Sequence, residues 1–167
     1  MLEYPLLMVF PIAMAFAGAM DLFTMTIPNR VSLGLIAAFA LAAIFVGMPI
    51  MTIANHVSAG ILFLAIGIFM FCMGWLGGGD AKLLAAAALW LGFESVMPYL
   101  VMVTICGGVL SVAILVYRGI IPPVWVMGQE WAMRLHDRNG GIPYGIAVAA
   151  AALWVYPSTA WFSALAG

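Results

Sequence analysis

The sequence predicts an all-α, polytopic membrane protein of about six transmembrane helices, folded as one domain over residues 1–167. Hydrophobic residues make up 67% of the 167 residues and charged residues only 7%, and the mean hydropathy is +1.22. Soluble domains carry roughly 25% charged residues, so this composition indicates an integral membrane protein. A spanning helix needs about 20 apolar residues, which leaves room for roughly six spans and little else.

The apolar runs and the turn residues between them place the helices in order. The predicted spans cover residues 4–20, 31–47, 53–76, 80–93 and 96–117, and a last span begins near Ile142. Pro11 and Pro157 are candidate kink sites. The fourth span is short, about 21 Å against a hydrocarbon core of about 30 Å. No basic residue precedes the first apolar run, so the first helix is expected to be retained rather than removed as a signal peptide.

The basic residues predict which side of each helix faces the cytoplasm. They are Arg30, Lys82, Arg118, Arg134 and Arg138. With six spans all of them fall on one side, whereas Glu3, His56 and Glu94 fall on the other. Positive residues favour the cytoplasmic side. Both termini are therefore expected outside, and Asp21 and Asp80 are expected together at the cytoplasmic face of the membrane.

A short additional helix is predicted in the third cytoplasmic loop, between the fifth and the last predicted spans. Its apolar positions, at helical spacing, are Val124, Met127, Trp131 and Leu135, and its polar positions are Gln129, Glu130, Asp137 and Arg138. This pattern indicates an amphipathic helix on the cytoplasmic membrane surface. An ordinary connecting loop is the alternative.

Two carboxylates are the candidate catalytic residues. Asp21 closes the first span, and Asp80 opens the fourth after three glycines. Ionisable groups at membrane helices are rare and usually functional. Two carboxyl groups that meet on one face of the membrane could activate a water molecule to attack a peptide bond. Taken alone, Asp80 would be interpreted as a helix N-cap and Asp21 as a solvated interfacial residue.

The helix dipoles predict different roles for the two acids. Asp21 lies at a negative helix end, which favours its protonated form, and Asp80 lies at a positive end, which favours the carboxylate. Lys82 acts on Asp80 in the same direction. The pair would then contain one proton donor and one base.

Three short segments on the same side could shape the site. The run Gly77-Gly78-Gly79 permits a tight break between two spans and close approach of a substrate backbone, although helix punctuation or packing is the simpler interpretation. Ile27-Pro28-Asn29 is a turn that starts the second helix. Pro143-Tyr144-Gly145 opens the last helix, and its tyrosine hydroxyl is expected within reach of the aspartates.

Other chemistries lack their motifs. Cys72 and Cys106 form no CxxC pair and are interpreted as packing residues, so a thiol metal site is not expected. His56 and His136 pair with no recognisable nucleophile, and neither Gly-x-Ser-x-Gly nor His-Glu-x-x-His occurs. No basic run suggests nucleic acid. We therefore expect no metal, no cofactor and no nucleic-acid partner.

Taken together, these segments resemble the type IV prepilin peptidases, which are GxGD aspartic proteases. The first aspartate motif is similar to Asp21-Leu22-Phe23-Thr24-Met25-Thr26-Ile27-Pro28-Asn29-Arg30. The GxGD motif is similar to Gly77-Gly78-Gly79-Asp80-Ala81-Lys82-Leu83-Leu84, and the turn that opens the last helix is similar to Ile142-Pro143-Tyr144-Gly145. Order, spacing and sidedness agree over essentially the whole chain.

The resemblance implies a specific activity and partner. It implies aspartic cleavage of the basic leader from a prepilin held in the membrane, on the cytoplasmic side and after a glycine. It also implies a bacterial inner membrane as the location of the protein. We expect Lys82, the glycine run and the Pro-Tyr-Gly turn to contact substrate. The larger, bifunctional members carry a CxxC-containing insertion and N-methylate the product. This chain lacks both insertion and cysteine pairs, and so resembles the minimal form of tight-adherence (Flp) pili, without methyltransferase activity.

Two other classes of function are compatible with a membrane protein that carries paired aspartates. A small proton- or cation-coupled transporter would place its acids in mid-span, facing each other from helix interiors. A non-catalytic subunit of a pilus assembly machine would tolerate replacement of both aspartates. No feature of the sequence specifies an oligomeric state.

Overall fold

The computed structural model describes residues 3–159 and 161, so residues 1–2, 160 and 162–167 of the predicted domain lie outside the described part. Every regular element in the described part is helical, which confirms the all-α fold. The elements are α1 (Glu3–Thr24), α2 (Asn29–Phe45), α3 (Ile50–Cys72), α4 (Gly78–Gly119), α5 (Val124–Met127), α6 (Glu130–His136), α7 (Tyr144–Val155) and a final 3₁₀ turn (Tyr156–Ser158).

The helix α4 is a hairpin of two helical arms. Its 42 residues would extend about 63 Å if straight. Gly92 interrupts it with φ 66° and ψ 173°, a backbone conformation that glycine tolerates. Gly92 lies against Asn55 and His56 near the start of α3, whereas Arg118 at the other end binds the carbonyl of Gly141. The first arm (78–91) and the return arm (93–119) therefore run in opposite directions, close to the predicted fourth and fifth spans.

Side chains of α3 and the C-terminal segment replace the backbone hydrogen bonds lost at Gly92. The N–H of Phe93 donates to Asn55 Oδ1 over 3.1 Å instead of to the carbonyl four residues earlier. That carbonyl, on Leu89, accepts from His56 Nδ1 over 2.8 Å. The carbonyl of Trp90 accepts from Trp161 Nε1 over 2.8 Å. The reversal thus keeps its buried polar groups paired, as an apolar environment requires.

The bundle has two ends, and the core lies between them. The site end carries Asp21 and Asp80, and the far end carries His56 and Gly92. Small residues let helices approach closely: a Cβ on Gly67 of α3 would lie 3.0 Å from the Cβ of Ala81. Trp90 is fully buried at the centre and donates to the carbonyl of Leu35 on α2. The first arm of α4 is the most deeply buried helical segment.

The helices have the length and composition of a membrane protein. Among the described residues, three helices are long and apolar enough to cross a bilayer, namely Leu7–Thr24, Ile50–Cys72 and Gly78–Gly119. Two shorter apolar helices accompany them, Asn29–Phe45 and Tyr144–Ser158. Many large apolar side chains point outward, among them Ile12, Ile44 and Val109. This exposed apolar surface suits lipid and not water.

The third loop differs from its prediction. Instead of one amphipathic helix it forms two short ones, α5 and α6, separated by Gly128 and the extended residue Gln129. The predicted apolar face is divided as well, because Val124 is 83% exposed whereas Leu135 is buried. The prediction of a single continuous helix was therefore wrong. The other loop tryptophan, Trp125, has a side chain that lies outside the described part of the structure.

Candidate active site

Asp21 is buried at the site end and accepts a backbone hydrogen bond from the start of α7. It lies in the last turn of α1, three residues before the helix ends at Thr24, and it is only 5% exposed. The N–H of Gly145 donates to Asp21 Oδ2 over 2.7 Å. A Cβ on residue 145 would lie 2.8 Å from the same oxygen, so the glycine permits this approach. The Pro-Tyr-Gly turn is thereby joined to the first aspartate.

Asp80 faces the same amide from the first turn of α4. It is the third residue of the helix, whose N-cap is Gly77, so the alternative of Asp80 as the N-cap itself was wrong. Its side chain interacts electrostatically with the backbone of Gly77 and of Gly145 and with Asp21. The Gly145 N–H thus donates to Asp21 and also acts on Asp80. Two such groups at close range disfavour double ionisation.

Ile27 packs between the helices that carry the site. A Cβ on Gly79 would lie 3.1 Å from Ile27 Cβ, and a Cβ on Gly145 would lie 2.6 Å from Ile27 Cδ1. Both glycines therefore have a packing role, which is the simpler of the two roles considered for the glycine run. The buried Ile27 side chain fixes the α1–α2 turn against the starts of α4 and α7.

The glycine run is not where the chain reverses. The positive φ between α3 and α4 belongs to Gly74, at 72°, whereas Gly77 is extended with φ −67°. Gly78 lies over the Phe71 ring, where a Cβ would approach Cε2 to 3.3 Å. The expectation that the run makes the tight break was therefore wrong, and no sequence motif singles out Gly74.

Lys82 and Asn29 form a second polar pair on the other side of α4. Lys82 Nζ donates to Asn29 Oδ1 over 2.9 Å. Residues two apart on a helix differ by about 200° in direction, so Lys82 faces away from Asp80. Pro28 and Pro143 are the N-caps of α2 and α7, one residue earlier than a first-turn position. Contact of Lys82 or Pro143 with substrate stays a prediction.

Tyr144 packs against the return arm of α4. A Cβ on Gly107 would overlap the Tyr144 hydroxyl, so the ring occupies the space that this glycine leaves. The position of the hydroxyl differs from the expectation that it reaches the aspartates. Tyr144 instead holds the start of α7 against α4, which places the neighbouring Gly145.

Two arginines that the sequence analysis used only for orientation fix the loop leading into the site. Arg118 donates to three carbonyls, from Nε to Leu135 and from Nη2 to Gly140 and Gly141, over 2.8–2.9 Å. Arg134 Nη1 donates to the carbonyl of Phe23, two residues after Asp21. The only sequence signal for Arg118 is a basic residue at the end of an apolar run.

The site has the groups for hydrolysis by acid–base chemistry. No cluster of three or more metal-ligating side chains occurs within residues 3–159 and 161. Two carboxyl groups that interact with each other can hold one proton between them and exchange it with water and a carbonyl. An apolar helical bundle with such a pair at one end has the chemistry of a membrane-embedded protease.

Comparison with known families agrees with this class. The chain matches the type IV leader peptidase family (peptidase A24) over residues 8–112, more than half of its length. The matched region contains Asp21 and Asp80 but ends before Pro143. No curated protein and no solved structure matches the chain. The chain belongs to the type IV leader peptidase family, and it is a membrane peptidase.

Proposed function

We propose that the protein is an aspartic endopeptidase that removes the leader of a prepilin, with Asp21 and Asp80 as its catalytic pair. The observation that carries this proposal is the Gly145 amide, which donates to Asp21 Oδ2, while Asp80 interacts electrostatically with both this amide and Asp21. It ties together the three motifs that resemble prepilin peptidases. Membership of the leader peptidase family supports the reaction type.

The proposed reaction uses one carboxylate and one carboxylic acid. The Asp80 carboxylate takes a proton from water as its oxygen attacks the scissile carbonyl, and Asp21 gives its proton to the carbonyl oxygen. The tetrahedral intermediate collapses when Asp80 passes the proton taken from water to the leaving amine, and Asp21 recovers its proton from the hydroxyl group as the carbonyl re-forms. Because Asp21 Oδ2 accepts from Gly145, the proton that Asp21 donates resides on Oδ1. An infrared carboxylic-acid band that disappears in Asp80→Asn but persists in Asp21→Asn would reverse these roles.

We further propose that six helical segments cross the inner membrane with the site end in the cytoplasm. They are α1, α2, α3, the two arms of α4, and α7 with its 3₁₀ turn. The basic residues near the site end, including Arg118 and Arg134, support this orientation. Both acids lie at helix ends and not in mid-span, which favours a protease over a transporter.

The proposed substrate is a Flp-type prepilin, cleaved after a glycine next to its apolar helix. The support comes from the resemblance to the minimal prepilin peptidases and from the lack of a CxxC-containing insertion between the spans. The same lack supports an enzyme that cleaves without N-methylating its product.

The test is a cleavage assay with purified enzyme and a Flp-type prepilin in the same detergent or liposome. Asp21→Asn and Asp80→Asn are expected to abolish cleavage, because each variant removes one of the two proton-transfer groups. Glu94→Gln is the matched control, since it neutralises an exposed acid outside the paired-aspartate site. It should cleave like wild type. Thermal unfolding of all four proteins shows whether the variants are folded.

Two results would contradict the proposal. Cleavage by either aspartate variant at the wild-type rate would exclude an aspartic mechanism, and pilus assembly supported by the double variant would favour the non-catalytic subunit. Mass spectrometry of the product tests the methylation claim: a methylated N-terminus would show the transferase activity that we propose is missing.

A further inference from the structure

The helices α2 and α3 are neighbours in sequence but are splayed apart in space. They are joined by a short turn at residues 46–49, yet they scarcely contact each other, because α3 packs on α4 and α2 packs on α1 and α4. A helical hairpin this tightly connected would ordinarily bury one helix against the other. Here an open space is left between the two helices.

This space is a groove of about 750 Å³, which we name the α2–α3 groove. Its walls are one stripe of each helix, with Leu33, Ile36 and Ala40 on α2 and Val57 and Ile61 on α3. The first arm of α4 forms the floor. These wall positions recur at helical spacing, so the groove follows the helix axes for about three turns, or roughly 16 Å. Its lining is almost wholly apolar.

The polar end of the groove lies beside the active site. Lys82 and Asn29 close the groove at the site end. A lysine ammonium has three donors, and the described residues engage one of them, at Asn29. Two donors remain for carbonyl oxygens of a chain that leaves the groove there.

We propose that the α2–α3 groove binds the apolar helix of the substrate prepilin, a proposal that rests on the proposed function. Lys82 and Asp80 are two residues apart on one helix, about 3 Å along its axis. Their side chains face different sides, but Gly77, the N-cap of α4, is exposed. An extended substrate segment of a few residues, at about 3.3–3.6 Å each, can therefore pass over the start of α4 from Lys82 to Asp80.

The occupant follows from this continuity. A lipid chain would fit the apolar walls, but it does not need a groove whose end adjoins the catalytic acids. A prepilin needs both features, because its scissile bond directly precedes its apolar helix. Small residues on the wall and floor, such as Ala40 and Ala85, allow close approach of a second helix. Main-chain carbonyls of the extended segment would accept from Lys82.

Photo-cross-linking tests the position of the substrate helix. A benzophenone amino acid is placed in the uncleaving Asp80→Asn enzyme at groove positions Leu33 and Ile61, which are 64% and 63% exposed. The control positions are Ile12 on α1 and Val112 on the return arm of α4. They are equally exposed, at 65% and 62%, but lie outside the groove. A prepilin in shared liposomes is expected to cross-link at the two groove positions only. Cross-links at the controls instead, or at none of the four, would overturn the proposal.

A steric variant gives an independent measurement. Ala40→Trp fills the groove, whereas Ala37→Trp adds the same side chain to the same helix on an exposed position outside the groove lining. Ala40→Trp is expected to slow cleavage about tenfold, mainly through KM, and Ala37→Trp should leave it unchanged. Equal rates for the two variants would also overturn the proposal.

These outcomes are separable from those of the proposed function. If wild-type enzyme fails to cleave the prepilin, the proposed function fails. If it cleaves while the cross-links avoid the groove and Ala40→Trp is as active as Ala37→Trp, only the groove assignment fails. Cross-linking at the groove that is competed away by excess anionic phospholipid, with no effect of Ala40→Trp on cleavage, would assign the groove to lipid.

Discussion

His56 on α3 donates from Nδ1 to the carbonyl oxygen of Leu89 over 2.8 Å, at the point where Gly92 breaks α4. The imidazole is buried and packs against the rings of Phe39 and Trp161. A residue far from the candidate active site therefore closes the hairpin whose first arm carries Asp80. The geometry of the site depends on this distant reversal, since the first arm can hold Asp80 in place only if both its ends are fixed.

Replacing His56 should destabilise the protein more than it impairs the chemistry. His56→Ala leaves the Leu89 carbonyl without its donor and removes ring contacts, which should cost about 1–3 kcal/mol. The measurement is the free energy of unfolding in detergent, together with cleavage at a temperature where both proteins are folded. We expect a lower unfolding free energy and a kcat within a few-fold of wild type.

His136→Ala is the matched control for that measurement. His136 Nε2 also contacts a backbone carbonyl, that of Ile120, but at a more exposed position on a loop. Its loss should cost less than about 0.5 kcal/mol, as is usual for surface substitutions. If the two histidine variants were equally stable, the hydrogen bond at Leu89 would have no special role in closing the hairpin.

Much of this arrangement follows from the sequence. The apolar runs predicted the order of the helices, and the change between the fourth and fifth predicted spans falls within a few residues of Gly92. Scarcity of charge singled out Asp21 and Asp80, and the structure brings them to one end of the bundle. Periodicity and composition are sufficient for these features because each depends on local residues and on the cost of ionised groups in lipid.

Other features could not be predicted because they depend on backbone groups of distant segments. The Gly145 N–H is 124 positions from Asp21. Almost every residue has a backbone N–H, so the residue type does not indicate which amide will be a donor to the site. The role of His56 exists only because the α4 hydrogen-bond ladder breaks. The loop helix was predicted from apolar spacing that runs through Gln129, where the backbone is extended with φ −103° and ψ 107°. Tertiary contacts outweigh local periodicity in that loop.

Gly145→Ala should abolish most of the activity without unfolding the protein. An added Cβ would lie 2.8 Å from Asp21 Oδ2 and 2.6 Å from Ile27 Cδ1, so the aspartate or the start of α7 must move. A misplacement of about 1 Å at a reacting group can cost roughly 100-fold in rate. The measurement is kcat for prepilin cleavage, with the unfolding temperature as a check of folding.

Gly108→Ala provides the comparison for Gly145. A Cβ at residue 108 meets nothing within 4 Å, and the helix propensity of alanine exceeds that of glycine by about 1 kcal/mol. This variant should be fully active and equally or more stable. A Gly145→Ala enzyme with the activity of Gly108→Ala would show that the approach of Gly145 to Asp21 does not matter for the reaction.

Tyr144 is expected to act through its ring and not through its hydroxyl. The hydroxyl lies against Gly107, away from its predicted position at the aspartates. Tyr144→Phe should therefore cleave prepilin at close to the wild-type rate. Gly107→Ala should lose activity, because its Cβ would displace the ring and with it the start of α7. A Tyr144→Phe variant that lost activity while Gly107→Ala kept it would return the hydroxyl to the catalytic role predicted from the sequence.

Arg118 is expected to be a positioning residue for the Gly145 amide. Its guanidinium holds the carbonyls of Leu135, Gly140 and Gly141, and the last of these lies four residues before Gly145. The planar fork of arginine can satisfy several acceptors in fixed directions, whereas lysine offers a point charge. Loss of the fork would free the segment that carries Pro143 into the site while leaving both aspartates present.

Arg118→Gln should therefore lower kcat by about 10–100-fold with little change in KM, since the reacting groups lose alignment rather than substrate contacts. Arg118→Lys should recover part of that loss. Arg138→Gln, which neutralises an exposed arginine of the same loop, is the matched control and should behave as wild type. The measurement is kcat and KM for prepilin cleavage by each variant, compared at equal folded fractions. If Arg138→Gln lowered kcat as much as Arg118→Gln, the effect would come from loop charge, and the three carbonyl contacts would have no positioning role.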